Sequence, residues 1–236
     1  MAVFLMLIFG EAVIAQNDNG HTYNKQFVVG NIPGIDNFMH LTQREKQIDS
    51  LLSQIDEETD SVMQEETESG TGMYKQRDFK KNRSRLFFKV YRNGNLQLRD
   101  SLLENGFPTA CTCFTDHDTV FVRMNLGFFG GLGFNIDITE HNFTSGCHIY
   151  TDDNASFKAS PEDTVFQNHI RCESKFQHLV LNNKPEFKPG QHLTGFLKIT
   201  TKEFYEKKYQ QSLDSVYISG RIYFTCRVKT KNPWDK

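Results

Sequence analysis

The chain has 236 residues, with 27 Lys plus Arg against 29 Asp plus Glu and a formal net charge of -2, so no global field marks it as a nucleic-acid-binding protein. Its 21 Phe against 1 Trp suit packed sheets better than helical bundles. A segment of about 150 residues buries roughly 70% of its unfolded surface, so the core has no need of a metal or cofactor, and none is expected.

In chain order, residues 1–15 form an apolar run that ends at Ala15, with Val13 two places before it and the polar Gln16-Asn-Asp-Asn-Gly20 after it. That reads as a signal peptide cut after Ala15, although no basic residue precedes the run and Glu11 interrupts it. The run is too short for a transmembrane span, so the expected location is extracytoplasmic, either periplasmic or secreted. Residues 16–40 read as an irregular leader with a turn at Ile32-Pro33-Gly34.

A capping box, Thr42-Gln-Arg-Glu45, then opens a helix. Leu41, Ile48, Leu51, Ile55 and Val62 give that helix one apolar stripe. An acidic stretch from Asp56 to Glu68, Gly70-Thr-Gly72 and a basic run of Lys75, Arg77, Lys80, Lys81, Arg83 and Arg85 complete a helix-plus-charged-linker segment over 41–85. The opposite charges fold back on each other or stay solvated; the other option is an anionic surface for the basic run.

From residue 86 to 236 the pattern is strand and turn. Leu86–Tyr91 and Leu96–Leu98 flank Asn93-Gly94, the pair that suits a type I′ hairpin turn. Val120–Phe128 and Phe134–Thr139 alternate around Gly130-Gly131 as a second hairpin. Strands are expected at 146–150, 164–172 and 176–182, then a type II turn at Lys188-Pro-Gly-Gln191 before Leu193–Ile199. Thr200-Thr-Lys-Glu203 is a second capping box and implies a short linking helix. Val216–Val228 then alternates as a long strand with Ile222, Phe224 and Cys226 on its core face. The expected fold is mainly β: an antiparallel β-sandwich (or barrel) of about eight strands with one short linking helix, preceded by an N-terminal amphipathic helix. The Pro189-Gly190 turn before Leu193-Thr-Gly-Phe196 resembles turns of secreted immunoglobulin-like sandwich modules. Over a dozen residues, that resemblance implies a fold and no activity.

Residues with chemical potential are few. Gly127-Phe-Phe-Gly-Gly-Leu-Gly133 leads into a strand and not a helix, so it reads as a hairpin turn and not a phosphate loop. Cys111, Cys113, Cys147, Cys172 and Cys226 are disulfide candidates in an exported chain. Cys111, Cys113 and His117 are weak candidates for a metal, since no ligand spacing repeats. No nucleophile elbow or His-Glu-x-x-His occurs. The outward face of the last strand offers Tyr217, Arg221, Tyr223 and Arg227 as a ligand-binding row of rings and guanidinium groups. The leading expectation is an exported, non-enzymatic module that binds a surface ligand, such as a surface polysaccharide, or another exported protein. The alternative is a hydrolase or metal-dependent enzyme with its site in the loops.

Overall fold

The computed structural model describes residues 25–51, 79–99, 106–126, 130–152, 154–207 and 212–230. The expected signal peptide, the start of the leader, the later helix positions Ile55 and Val62, the acidic stretch, Gly70–Gly72, Lys75 and Arg77 lie outside these residues.

The elements are β1 (Val28–Val29), α1 (Ile35–Met39), α2 (residues 43–51), β2 (Arg83–Arg92), β3 (Asn95–Arg99), β4 (Phe107–Asp116), β5 (Thr119–Leu126), β6 (Gly130–Ile138), β7 (Phe143–Thr151), β8 (Phe157–Lys158), β9 (His169–Leu181), β10 (His192–Thr201), β11 (Phe204–Lys207) and β12 (Leu213–Lys229). They make one sheet of 12 strands, more than the expected count. Its backbone closes on itself, because β12 pairs antiparallel with β10 on one side and with β2 on the other, while β2 pairs with β4. The ring β2-β4-β5-β6-β7-β9-β10-β12 is therefore a barrel; of the two expected architectures, the sandwich with its immunoglobulin-like resemblance gives way to the barrel. Closure removes the exposed edges that an open sheet of this size would carry.

Alternation decides which side chains fill the barrel. Val120, Val122 and Met124 of β5, Phe134, Ile136 and Ile138 of β6, and Ile222, Phe224 and Cys226 of β12 are all wholly buried. Each large side chain so placed stabilises the fold by roughly 1.5–3 kcal/mol. The Asn93-Gly94 turn is realised with φ 47 and 77 at its two central residues, and Gly190 takes φ 93 in the turn before β10, as those residue types require.

Three expectations are corrected. Among the described residues, the expected linking helix is replaced by a strand: Phe204–Lys207 pairs with β12 and β8. The two residues of that capping box serve β12 instead, Thr200 Oγ1 donating to Ser219 Oγ at 3.3 Å and Glu203 Oε2 accepting from Ser215 Oγ at 2.8 Å. The two strands expected at 164–172 and 176–182 are one strand, β9, in which a bulge skips Lys175: Thr200 faces Phe176 and Thr201 faces Ser174. Inward parity thus switches from Ile170, Cys172 and Ser174 to Gln177, Leu179 and Leu181, which breaks the sequence alternation without breaking the strand. Finally, Gly131 and Gly133 lie within β6 and only border the hairpin turn.

The leader is not irregular throughout, and the basic run does not end in a linker. Val28 and Val29 add a parallel strand beside β9, and α1 and α2 lie over the outer face of β2. Arg83 and Arg85, assigned to the linker by the sequence, begin the first barrel strand and are buried beneath these helices. The Arg83 guanidinium donates to the carbonyls of Phe38 and Met39, at 2.9 and 3.1 Å, and of Lys80. Burial lowers its pKa from the usual arginine value, partly offset by the Glu45 carboxylate.

Candidate functional site

The outward row of β12 is where the alternation placed it, but its rings are engaged by the chain itself. Tyr223 donates its hydroxyl to Pro33 O at 2.8 Å, and its ring stacks on Phe38 with centroids 5.7 Å apart. Phe87 and Phe196 complete its surroundings. Tyr217 stacks on Tyr91 at 4.6 Å, and the Arg221 guanidinium lies 5.4 Å from the Phe87 ring. Arg227 is exposed at the far end of the strand. Of this row, Tyr223 is the residue on which the N-terminal segment docks, through Pro33 and Phe38.

All five cysteines are buried. Cys113 and Cys226 are joined by a disulfide, with Cα atoms 5.8 Å apart and a sequence separation of 113. Cys111, Cys147 and Cys172 are free thiols. Cys111 lies with the disulfide pair, all three sulfurs within 4.8 Å of one another. Two of them are bonded to each other, which removes them as metal ligands, and the His117 side chain is 90% exposed, 2.8 Å from Asp116. The structure therefore does not bring Cys111, Cys113 and His117 together as a ligand set. Cys147 and Cys172 face one another across β7 and β9, and their contact together with burial raises the Cys147 pKa far above the usual thiol value.

Sequence reasoning did not find the barrel's end. Where β2, β5 and β7 finish and β12 begins, a cavity of 350 Å³ opens into the barrel. Its walls are apolar: Phe88 and Val90 of β2, Leu132 of β6, Ile149 of β7, and Val216 and Ile218 of β12. Phe157 of β8 and Phe204 of β11 close over one side, their rings 6.2 Å apart edge to face. The opposite end is filled, since Phe187 packs against the core there and its carbonyl accepts from Thr115 Oγ1 at 3.3 Å.

Two charged groups line the cavity, Arg92 and Glu206. Arg92 continues the inward positions Leu86, Phe88 and Val90 of β2, and it is held by Glu206 at 2.6 Å and by Asp214 at 3.7 Å. Asn93 Nδ2 steadies Asp214 Oδ1 at 2.8 Å. Arg92 Nη1 is hidden from solvent yet makes no hydrogen bond among the described residues. The rim thus carries one guanidinium and two carboxylates beside an apolar chamber, with one donor unsatisfied. In the sequence, Arg92 at an inward parity was the available sign, but the adjoining Asn-Gly turn made it read as a strand end.

Comparison with protein-family models, with curated proteins and with solved structures finds no match to this chain. Among the described residues, no helix is long and apolar enough to cross a membrane.

Proposed function

We propose that this chain is an exported, non-catalytic β-barrel module that binds a small apolar ligand, with an uncharged hydroxyl or carbonyl end, in the chamber at the barrel's open end. The observation that carries this reading is the 350 Å³ apolar cavity with Arg92 at its rim. Eight-stranded barrels are just wide enough to hold one small ligand, and ligand sites are typically apolar chambers of about 300–1,000 Å³ with few polar groups. Two carboxylates against one guanidinium disfavour an anionic head group. A hydroxyl suits the rim, because it can accept from Arg92 Nη1 and donate to a neighbouring carboxylate. The Cys113–Cys226 disulfide is compatible with an oxidising compartment, where the expected signal peptide would deliver the chain.

The test is fluorescence titration of the purified protein with N-phenyl-1-naphthylamine, followed by displacement with 1-decanol, decanoate and decylamine. Saturable binding, displacement by decanol ahead of decanoate, and loss of binding in Val90→Trp and Leu132→Trp with folding retained are expected. Undiminished binding in both Trp variants would place the probe elsewhere and sink the reading. Export is checked separately, by N-terminal sequencing of the mature protein from its host.

A further inference from the structure

A second concavity lies on the outer wall of the barrel, away from the apolar chamber, across β5, β6, β7 and β9. It encloses 380 Å³ and is lined by Arg123, Asn125, Asn135, His148, Tyr150 and Arg171, among others. The register explains the convergence. Arg123 faces Asn135 across β5 and β6, Gly133 lies between Asn125 and His148, and His148 faces Arg171 across β7 and β9.

Two strand glycines make the hollow. A Cβ on Gly133 would stand 2.0 Å from His148 Cε1 and 2.5 Å from Asn125 Oδ1, and one on Gly146 would stand 2.7 Å from Cys172 O. Glycine weakens a strand interior and commonly marks a place where another group approaches closely. Here it lets the imidazole and the Asn125 amide lie against the sheet, with Asn135 above the bare backbone of Gly146.

The polar groups around the hollow are arranged outward. Arg123 is fixed by Asp137 at 2.6 Å and rests over the Phe121 and Phe114 rings, so its charge is balanced. Arg171 has no ion pair and no hydrogen bond among the described residues, and the side chains of Asn125, Asn135 and His148 make none either. Burial, with Arg171 and then Arg123 adding to it, holds the His148 pKa below the usual histidine value; of the Arg and Asp side chains that line the hollow, Arg123 and Asp137 pair with each other and Arg171 is left over.

We infer that this hollow is a binding site for an acidic sugar residue of the uronate type, with its carboxylate on Arg171, its hydroxyls on Asn125 and Asn135, and its ring against Tyr150. One unbalanced guanidinium matches one carboxylate in charge and in two-pronged geometry. A phosphate or sulfate dianion would leave half its charge uncompensated. An amide side chain offers a donor and an acceptor side by side, which pairs with neighbouring sugar hydroxyls and has no counterpart in an acidic peptide side chain. The site is independent of the apolar chamber, which shares with it only the Ile149–Tyr150 segment of β7.

The experiment is calorimetric titration of the full chain with oligogalacturonate, oligoglucuronate, a neutral galactose oligomer and sodium sulfate. At least one oligouronate should bind at a single site, with the neutral oligomer weaker by about tenfold or more, as expected for loss of a charge-assisted pair. Arg171→Gln and Asn135→Ala should each weaken it to a similar degree at unchanged thermal unfolding, while Lys198→Gln, on β10 outside the hollow, should have no effect. Absence of binding by both oligouronates at millimolar concentration overturns the inference. So does equal binding of the neutral oligomer, full affinity in Arg171→Gln, or competition by sulfate as strong as by the sugar, which would mark a general anion site.

Discussion

The Glu45 carboxylate and the Arg85 guanidinium meet in a buried two-pronged ion pair, 2.5 Å between Oε2 and Nη2 and 3.1 Å between Oε1 and Nε. Glu45 also caps α2: its Oε2 accepts from Thr42 N at 2.7 Å, while Thr42 Oγ1 accepts from Glu45 N at 3.2 Å. Arg85 Nη1 and Nη2 also donate to the carbonyls of Asn37 and His40. One carboxylate therefore starts a helix and ties it to the first barrel strand.

Removing either partner strands a buried charge, so Glu45→Ala and Arg85→Met should each cost about 3–5 kcal/mol, with about 1 kcal/mol of the Glu45 loss arising from the cap. The double variant Glu45→Ala with Arg85→Met should recover much of the sum, because no charge is left behind. Urea unfolding of the three variants measures this. Additive losses would show that the pair is not coupled.

Gly195 sits tightly against the core, since a Cβ there would stand 2.4 Å from Phe224 Cζ and 2.9 Å from Leu181 Cδ2. Both neighbours are fully buried and cannot move aside cheaply. Gly195→Ala should destabilise by about 1–3 kcal/mol through overpacking, and adding Phe224→Leu should return part of it. A thermal midpoint for Gly195→Ala equal to that of the parent would mean that the Phe224 ring is not seated as described.

Strand identity was legible wherever two-residue alternation ran undisturbed, as in Val120–Met124 and Val216–Val228, and the Asn93-Gly94 turn and the Thr42–Glu45 cap could be read from local chemistry alone. What failed did so where tertiary pairing overrode a local pattern. Thr200 and Glu203 spelled a helix cap, but β12 offered their side chains better partners in Ser219 and Ser215. Lys175 disrupted the alternation of β9 because a bulge was needed to carry that strand from β7 to β10. The outward rings of β12 could be listed from the sequence, but the cover of Tyr223, Phe38, lies 185 residues away (223 − 38), and no local rule joins them. The chamber and the outer hollow depend on barrel closure and on four-strand register, which are sums of long-range pairings that one sequence does not display.

The disulfide gives a direct chemical prediction. Of the five cysteines, Cys111, Cys147 and Cys172 are free, so the unreduced protein should titrate three thiols when denatured and almost none when folded, burial having pushed the Cys111 pKa up out of reach. Cys226→Ala, which opens a loop spanning 113 residues, should cost about 2–5 kcal/mol. Cys111→Ala should cost only about 1 kcal/mol for lost burial, and Cys226→Asp should prevent folding by placing a carboxylate in the core. Five titratable thiols in denatured, unreduced protein from its host would show that the bond does not form there.

His148 should make stability fall toward acid pH. Its pKa is lowered in the folded chain by burial, then by Arg171 and Arg123; Asp137, Tyr150 and His169 are the other titratable groups lining the hollow. The unfolded chain holds the ordinary histidine value of about 6.5, so between the two values the unfolded state binds the extra proton. The stabilising contribution of the neutral imidazole is thus fully present above about pH 6.5 and is lost as pH falls through the lower, folded-state value. His148→Gln keeps the side chain's hydrogen-bonding capacity and removes the titration. Urea midpoints at pH 7.5 and 5.5 should therefore drop more for the parent than for His148→Gln, while Arg171→Gln should shrink the parent's drop by easing protonation. Identical drops in all three would show that the imidazole titrates as if free in water, and that the two guanidinium groups do not face it.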